Sequence, residues 1–337
     1  MWTAAIPTGL FRTASLWTAQ ERLRFHILGA MTALDAALYA GSSLRLRWDE
    51  AAAPLAIALF LLAGAAYFRR ERRRPALSAM LTGVAQIMLF ALLAAILNYL
   101  LLSDRPLIDA LLYRLDQAIG VDWPSLFGAL KGGAFGRLLT TAYESSGLQI
   151  AAVVAFLGLT GRIAELDRFL LAFFLATLTA LAIWAVFPSF GAATYLVSTG
   201  AVADIPGATV GRSFAEVLLA LKSGALREMF LQDLKGLVAF PSMHTVMALL
   251  TVHALRGVPL AFWPALGWNA LMLLAIPVDG GHHVVDVLAG AALTVAAVVA
   301  ARAISLRIEA QALGGAPSLA TRALSTLAYA RRALQTR

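Results

Sequence analysis

His282 and Asp286 stand four residues apart in the stretch VDGGHHVVDVLAG, residues 278–290. Positions i and i+4 share one face of a helix. The carboxylate can therefore accept a hydrogen bond from one imidazole nitrogen, which fixes the tautomer and leaves the other nitrogen as a base or nucleophile. The same pair equally describes a satisfied histidine beside a helix-start carboxylate, and the spacing does not separate the two. A second histidine, His244, lies in FPSMHT. Serine is a favoured helix N-cap, and proline disfavours helical conformation in the residue before it. A helix is thus expected to start at Ser242 with His244 in its first turn. Backbone N–H groups at helix starts attract phosphate. Two such starts, each with a histidine, would make an anion site that holds both a nucleophile and an acid.

The elements that carry these residues are apolar. The chain is 60% hydrophobic and 14% charged over 337 residues, against about 25% charged in an ordinary soluble protein. Apolar runs of about 20 residues, the length of a membrane span, recur along it, while the period-2 alternation of a membrane barrel does not. The expected fold class is all-α, a polytopic transmembrane bundle of about eight helices near 26–42, 51–68, 77–102, 143–160, 166–187, 240–256, 259–277 and 282–303. The last six form the expected core, 77–303, preceded by a segment 1–76 with two extra spans and followed by a basic tail, 304–337. There is no cysteine, which removes disulfide and thiolate chemistry. The first residues lack a compact apolar core with a small-residue cleavage site and are not read as a signal peptide.

Charge orients the bundle. RRERRR carries five arginines against one glutamate and is assigned to the cytoplasm. Alternation then puts residues 1–24 (net +2) and 302–337 (net +5) on the same side. The opposite loops, 43–50, 103–142 and 188–239, each balance to zero. One orientation satisfies every loop, so the overall charge of +8 is a topology signal that calls for no nucleic acid partner. It also brings PSMH and GGHHVVD to one outer surface, joined by a helical hairpin.

Together PSMH and HHVVD resemble the second and third motifs of the type-2 phosphatidic acid phosphatase superfamily, P-S-G-H and H-x-x-x-D. GHHVVDVLAG, LDQAIGVDWPSL and LKGLVAFPSMH are most similar to its inositol phosphorylceramide and sphingomyelin synthase branch, in bacterial form. The resemblance covers roughly 105–290. It implies that His282 attacks phosphorus to form a phosphohistidine, that Asp286 orients it, and that His244 protonates the leaving oxygen. It further implies that Ser242, Gly281 and nearby N–H groups hold phosphate oxygens, with no metal and no cofactor, and that His283 is secondary at most.

Two departures stand out. The first motif, K-x6-R-P, is missing after the fifth helix; NYLLLSDRP has the spacing with Asn98 in place of lysine, but follows the third. Ile276 stands where the third motif has an arginine. Replacement cations are sought in the preceding outer loop, with Lys235 and Arg227 ahead of Arg212 and Lys222. Glu144, with Tyr143 and Gln149 near it, is expected to face the site. Asp35 is an intramembrane carboxylate outside the resemblance. His253 reads as structural, and Trp48, Trp123, Trp184 and Trp263 as an interfacial belt. PLIDALLYRLDQAIG and the tail read as amphipathic helices on the membrane surface.

Residues 242–256 would rise only about 22 Å as helix, less than a hydrocarbon core of about 30 Å. The site is therefore expected below the outer surface, where a phospholipid, sphingolipid or polyprenyl phosphate arrives by lateral diffusion. The Ala-, Leu- and Arg-rich composition suggests a bacterial inner membrane. Donor, acceptor and oligomeric state stay open. A non-catalytic lipid-binding or transport protein is the competing expectation.

Overall fold

The computed structural model of the protein describes residues 16–102, 105–202, 212–231, 234 and 236–312. Thr18 starts α1 (Ala19–Ala40) with a reciprocal cap: its hydroxyl accepts the Glu21 N–H, and the Glu21 carboxylate accepts the Thr18 N–H. A two-residue strand, β1 (Arg45–Leu46), and a 3-10 turn lead into α2 (Ala52–Arg70). Pro75 opens α3 (Pro75–Leu100) at a position where its missing N–H has no helical partner to lose. Three short helices follow, α4 (Asp109–Ala118), α5 (Trp123–Leu130) and α6 (Gly133–Glu144). The last of them runs into α7 (Ser146–Leu159) through a bend of 51°. After α8 (Ile163–Val186) come α9 (Ala192–Ser198) and α10 (Arg212–Lys222). β2 (Glu228–Met229) pairs in parallel with β1. The chain closes with α11 (Met243–Leu255), α12 (Pro259–Asp279) and α13 (Val284–Ala312).

Each of the eight segments expected from hydropathy is helical. Trp48–Arg70, α3, α8, α12 and α13 are long and apolar enough to cross a membrane, and the bent α6–α7 pair makes a sixth span if counted as one. The fold is thus an all-α polytopic bundle. The segment expected at 143–160 is not one straight helix, because the chain turns between Glu144 and Ser146. α11 has 13 residues, about 20 Å of rise. It is apolar on every side and sits centrally, against α7, α8, α12 and α13. Val246 and Leu250 there pack with Val154, Leu157, Leu170 and Leu293 as the main core.

α1 is not a loose appendage. Arg24, 2% exposed, pairs with Asp167 of α8 at 2.7 Å and donates through Nε to Gln86 of α3 at 2.7 Å. Gln86 donates in turn to the Glu21 carbonyl, and the Glu21 carboxylate takes both terminal nitrogens of Arg69 on α2. One polar network therefore locks α1 and α2 onto the core. Asp35 is buried, and neither carboxylate oxygen has a hydrogen-bond partner among the described residues. Two of the four tryptophans depart from the expected belt. Trp48 and Trp263 are exposed, but Trp184 lies in the core and Trp123 beneath the α12–α13 turn, each about fully buried. The C-terminal amphipathic helix expected from sequence falls mostly outside the described residues.

Candidate active site

The starts of α11 and α13 meet because the backbones are tied. The Ser242 N–H donates to the Asp286 carbonyl at 3.0 Å. Gly290, one turn further along α13, has no side chain to hold the helices apart; a Cβ there would stand 2.5 Å from the Ser242 carbonyl oxygen. His282 and His244 thereby come within 6.4 Å, ring centre to ring centre. His282 Nδ1 lies 3.1 Å from Asp286 Oδ2, as the i, i+4 spacing predicts. The same oxygen accepts the His283 N–H at 3.0 Å. An ionised carboxylate only accepts, so Nδ1 is the donor in that contact, and in a neutral imidazole Nε2 would then keep its lone pair. His244 stacks on Tyr143 at 4.1 Å.

Both histidines line a cavity of about 270 Å³ bounded by α3, α6, α8 and α11. Its polar groups are few: His244, His282, Tyr143, Asn98 and Thr177 among otherwise apolar or small residues such as Ala94, Leu181, Phe190 and Met247. None of the described lining residues is a lysine or arginine. Asn98, which stands in place of the first-motif lysine in NYLLLSDRP, is one of the lining residues.

The structure separates the remaining sequence candidates. Ser242 caps α11, accepting the Thr245 N–H at 3.4 Å, and does not line the cavity. Gly281 takes φ +63°, a value natural to glycine, and its carbonyl accepts the Ala193 N–H at 3.1 Å. It shapes the turn, while Gly280 faces the cavity. Glu144 is exposed and Tyr143 lines the cavity instead, since neighbouring helical residues point about 100° apart. Arg227 is exposed away from the cavity, its carbonyl accepting the Arg45 N–H beside the short strand pair. The Lys222 ammonium reaches the Arg105 carbonyl. Lys235 and the side chain of Arg212 lie outside the described residues.

The largest surprise is α4. Asp116 accepts the Val284 N–H at 3.0 Å, the Val285 N–H at 2.9 Å, and meets His283 Nδ1 at 3.3 Å. Asp109, seven residues earlier on the same face, accepts the Phe190 and Gly191 N–H groups and the Ser189 hydroxyl. It also stands 3.6 Å from His283 Nε2, an ionic contact rather than a hydrogen bond. His283 is therefore buried between two carboxylates. Burial alone would lower its pKa, but Asp109 and Asp116, with the charge of Asp286, outweigh it and raise the pKa to about 9. Carboxylates thus take the first N–H groups of α13, so that helix start is not open to phosphate as expected. Trp123 adds a further brace, its indole N–H shared between the Pro277 and His282 carbonyls at 3.1 and 3.2 Å. Lys131 pairs with the buried Asp279 at the end of α12.

A family model described as the PAP2 superfamily matches residues 110–300, more than half of the chain. No curated protein matches, and no solved structure does.

Proposed function

Since the chain belongs to the PAP2 superfamily, a family of phosphatase and phosphotransferase type, we propose that it is a membrane-embedded lipid phosphotransferase working through a phosphohistidine. The observation that carries this is the His282–His244 pair lining one apolar cavity, with Asp286 on Nδ1 of His282. His282 Nε2 attacks phosphorus, and the bond from phosphorus to the leaving oxygen breaks. His244 gives that oxygen its proton. In the second half His244 takes a proton from a lipid hydroxyl or water, the oxygen attacks phosphorus, and the P–N bond breaks to restore His282. Asp286 keeps the imidazole oriented and offsets its positive charge.

The apolar lining favours a substrate with acyl or prenyl chains, a phospholipid, sphingolipid or polyprenyl phosphate. The short α11 favours a site below the surface. Transfer of a phosphate-bearing headgroup is favoured over hydrolysis, in keeping with the inositol phosphorylceramide and sphingomyelin synthase-like motifs. Lys235 is the proposed phosphate partner, because its neighbours Leu234 and Gly236 both line the cavity. The proposed setting is a bacterial inner membrane with both termini cytoplasmic and the histidines on the opposite side.

The test is to incubate purified protein with labelled lipids and separate free phosphate, phospho-headgroup and new lipid by chromatography. His282→Ala is expected to remove turnover and any acid-labile phosphoprotein while the helical signal stays intact. Undiminished turnover in that variant overturns the assignment. The missing basic residues of the first and third motifs favour a second function, lipid binding or flipping without chemistry. It predicts lipid movement in vesicles with no ester cleaved on any lipid.

A further inference from the structure

At the end of the bundle remote from His244 and His282, a second groove of about 440 Å³ runs between α8, α11 and α13. Each side contributes an arginine: Arg168 from α8, Arg256 from the end of α11 and Arg302 from α13. The walls between them are mostly apolar, with Phe169, Val298 and Val299, the last 62% exposed on the outer face of α13, and with His253, whose carbonyl accepts from Arg256. Two carboxylates stand nearby. Glu165 is engaged by Arg162 at 3.1 Å and Glu309 by Arg168 at 3.2 Å. Four guanidiniums against two carboxylates leave a net charge of +2. Both pairs are partly exposed, the kind that contributes little and exchanges readily.

Depth identifies the occupant. From Val284 to Arg302 α13 rises about 27 Å, close to the roughly 30 Å of a hydrocarbon core. When the histidines lie near one interface, the three arginines lie near the other, at headgroup level, with an apolar wall running from them towards the bilayer middle. A soluble anion has no use for that wall. Guanidinium forks match phosphate oxygens in bidentate geometry, and basic pockets between membrane helices suit anionic headgroups. We propose that this groove binds an anionic glycerophospholipid, with its phosphate on Arg168, Arg256 and Arg302 and an acyl chain along Val298 and Val299. The groove shares no lining residue with the histidine cavity, so it stands whatever that cavity does.

The full chain is purified from vesicles of phosphatidylcholine alone or with phosphatidylglycerol; retained lipid is measured by mass spectrometry, and thermal midpoint is followed. Wild type is expected to retain phosphatidylglycerol preferentially and to melt higher with it, while inorganic phosphate leaves the midpoint unchanged. Joint replacement Arg168→Gln, Arg256→Gln and Arg302→Gln is expected to cut retention about tenfold or more, as loss of three charge-assisted phosphate contacts implies. Should that variant not fold, Val299→Trp closes the apolar wall without touching charge and is expected to cut retention too. Retention equal to wild type in whichever variant folds overturns the site. A midpoint that inorganic phosphate raises as much as the lipid does overturns the lipid as its ligand.

Discussion

At the scale of single residues, the site is a set of protonation assignments. Asp286 engages Nδ1 of His282 and leaves Nε2 as the ring nitrogen available to the cavity. His283, its neighbour in sequence, sits between Asp109 and Asp116, which favour its imidazolium and raise its pKa to about 9 from 6.5. A pKa raised on folding stabilises the fold fully below the unfolded value and loses that contribution as pH climbs through the folded one. Wild type is therefore expected to lose on the order of 3 kcal/mol between pH 6.5 and pH 9 from this residue, at about 1.36 kcal/mol per unit. His283→Gln should begin less stable, because two buried carboxylates lose a partner, and give a flatter curve over that window. Denaturation midpoints against pH check this, and parallel curves would refute it. The HH pair thus divides into one residue that lines the cavity and one held between two carboxylates of α4.

At the scale of elements, position comes from close approach. Gly290→Ala would force a methyl group onto the Ser242 carbonyl and Thr245, pushing α11 from α13 and parting the two histidines. Misplacement of about 1 Å can cost about 100-fold in rate, so turnover is expected to fall by that order while most of the helical fold survives; wild-type turnover would contradict the dependence on spacing. The helices themselves were readable, because a run of twenty apolar residues has one solution in a bilayer. The i, i+4 histidine–aspartate contact and the Ser242 cap were readable too, being local. Asp109 and Asp116 were not. Their role depends on α4 folding back against residues about 170 positions later, and a carboxylate in an amphipathic stretch looks like a solvated one. Trp123 reads as part of a belt for the same reason, since an aromatic near a span end resembles one, whereas its N–H serves the His282 carbonyl. Glu144 lost to Tyr143 by a single helical step, finer than any boundary drawn from hydropathy.

At the scale of the whole molecule, the two N-terminal helices are bound into the core even though the family match begins at residue 110. Arg24→Met would strand Asp167 and Gln86, the partners of a nearly fully buried guanidinium. Breaking such a pair costs about 3–5 kcal/mol, so the variant is expected to melt well below wild type in detergent with its histidine site unaltered in sequence. An unchanged midpoint would mean that the network adds little. The remaining consequence belongs to α4. Its inward face carries Asp109 and Asp116, and its outward face presents Leu111, Leu115 and Ile119, each at least 44% exposed. An apolar outer stripe of this kind suits a membrane boundary, while the inner one grips the start of α13. Lateral pressure in the lipid would then act on α4 as on a lever, tightening or slackening the turn that holds His282. Turnover measured on lipid monolayers should vary with surface pressure, and Leu111→Ser with Leu115→Ser should blunt the response, making the protein a gauge of how tightly the surrounding lipid is packed.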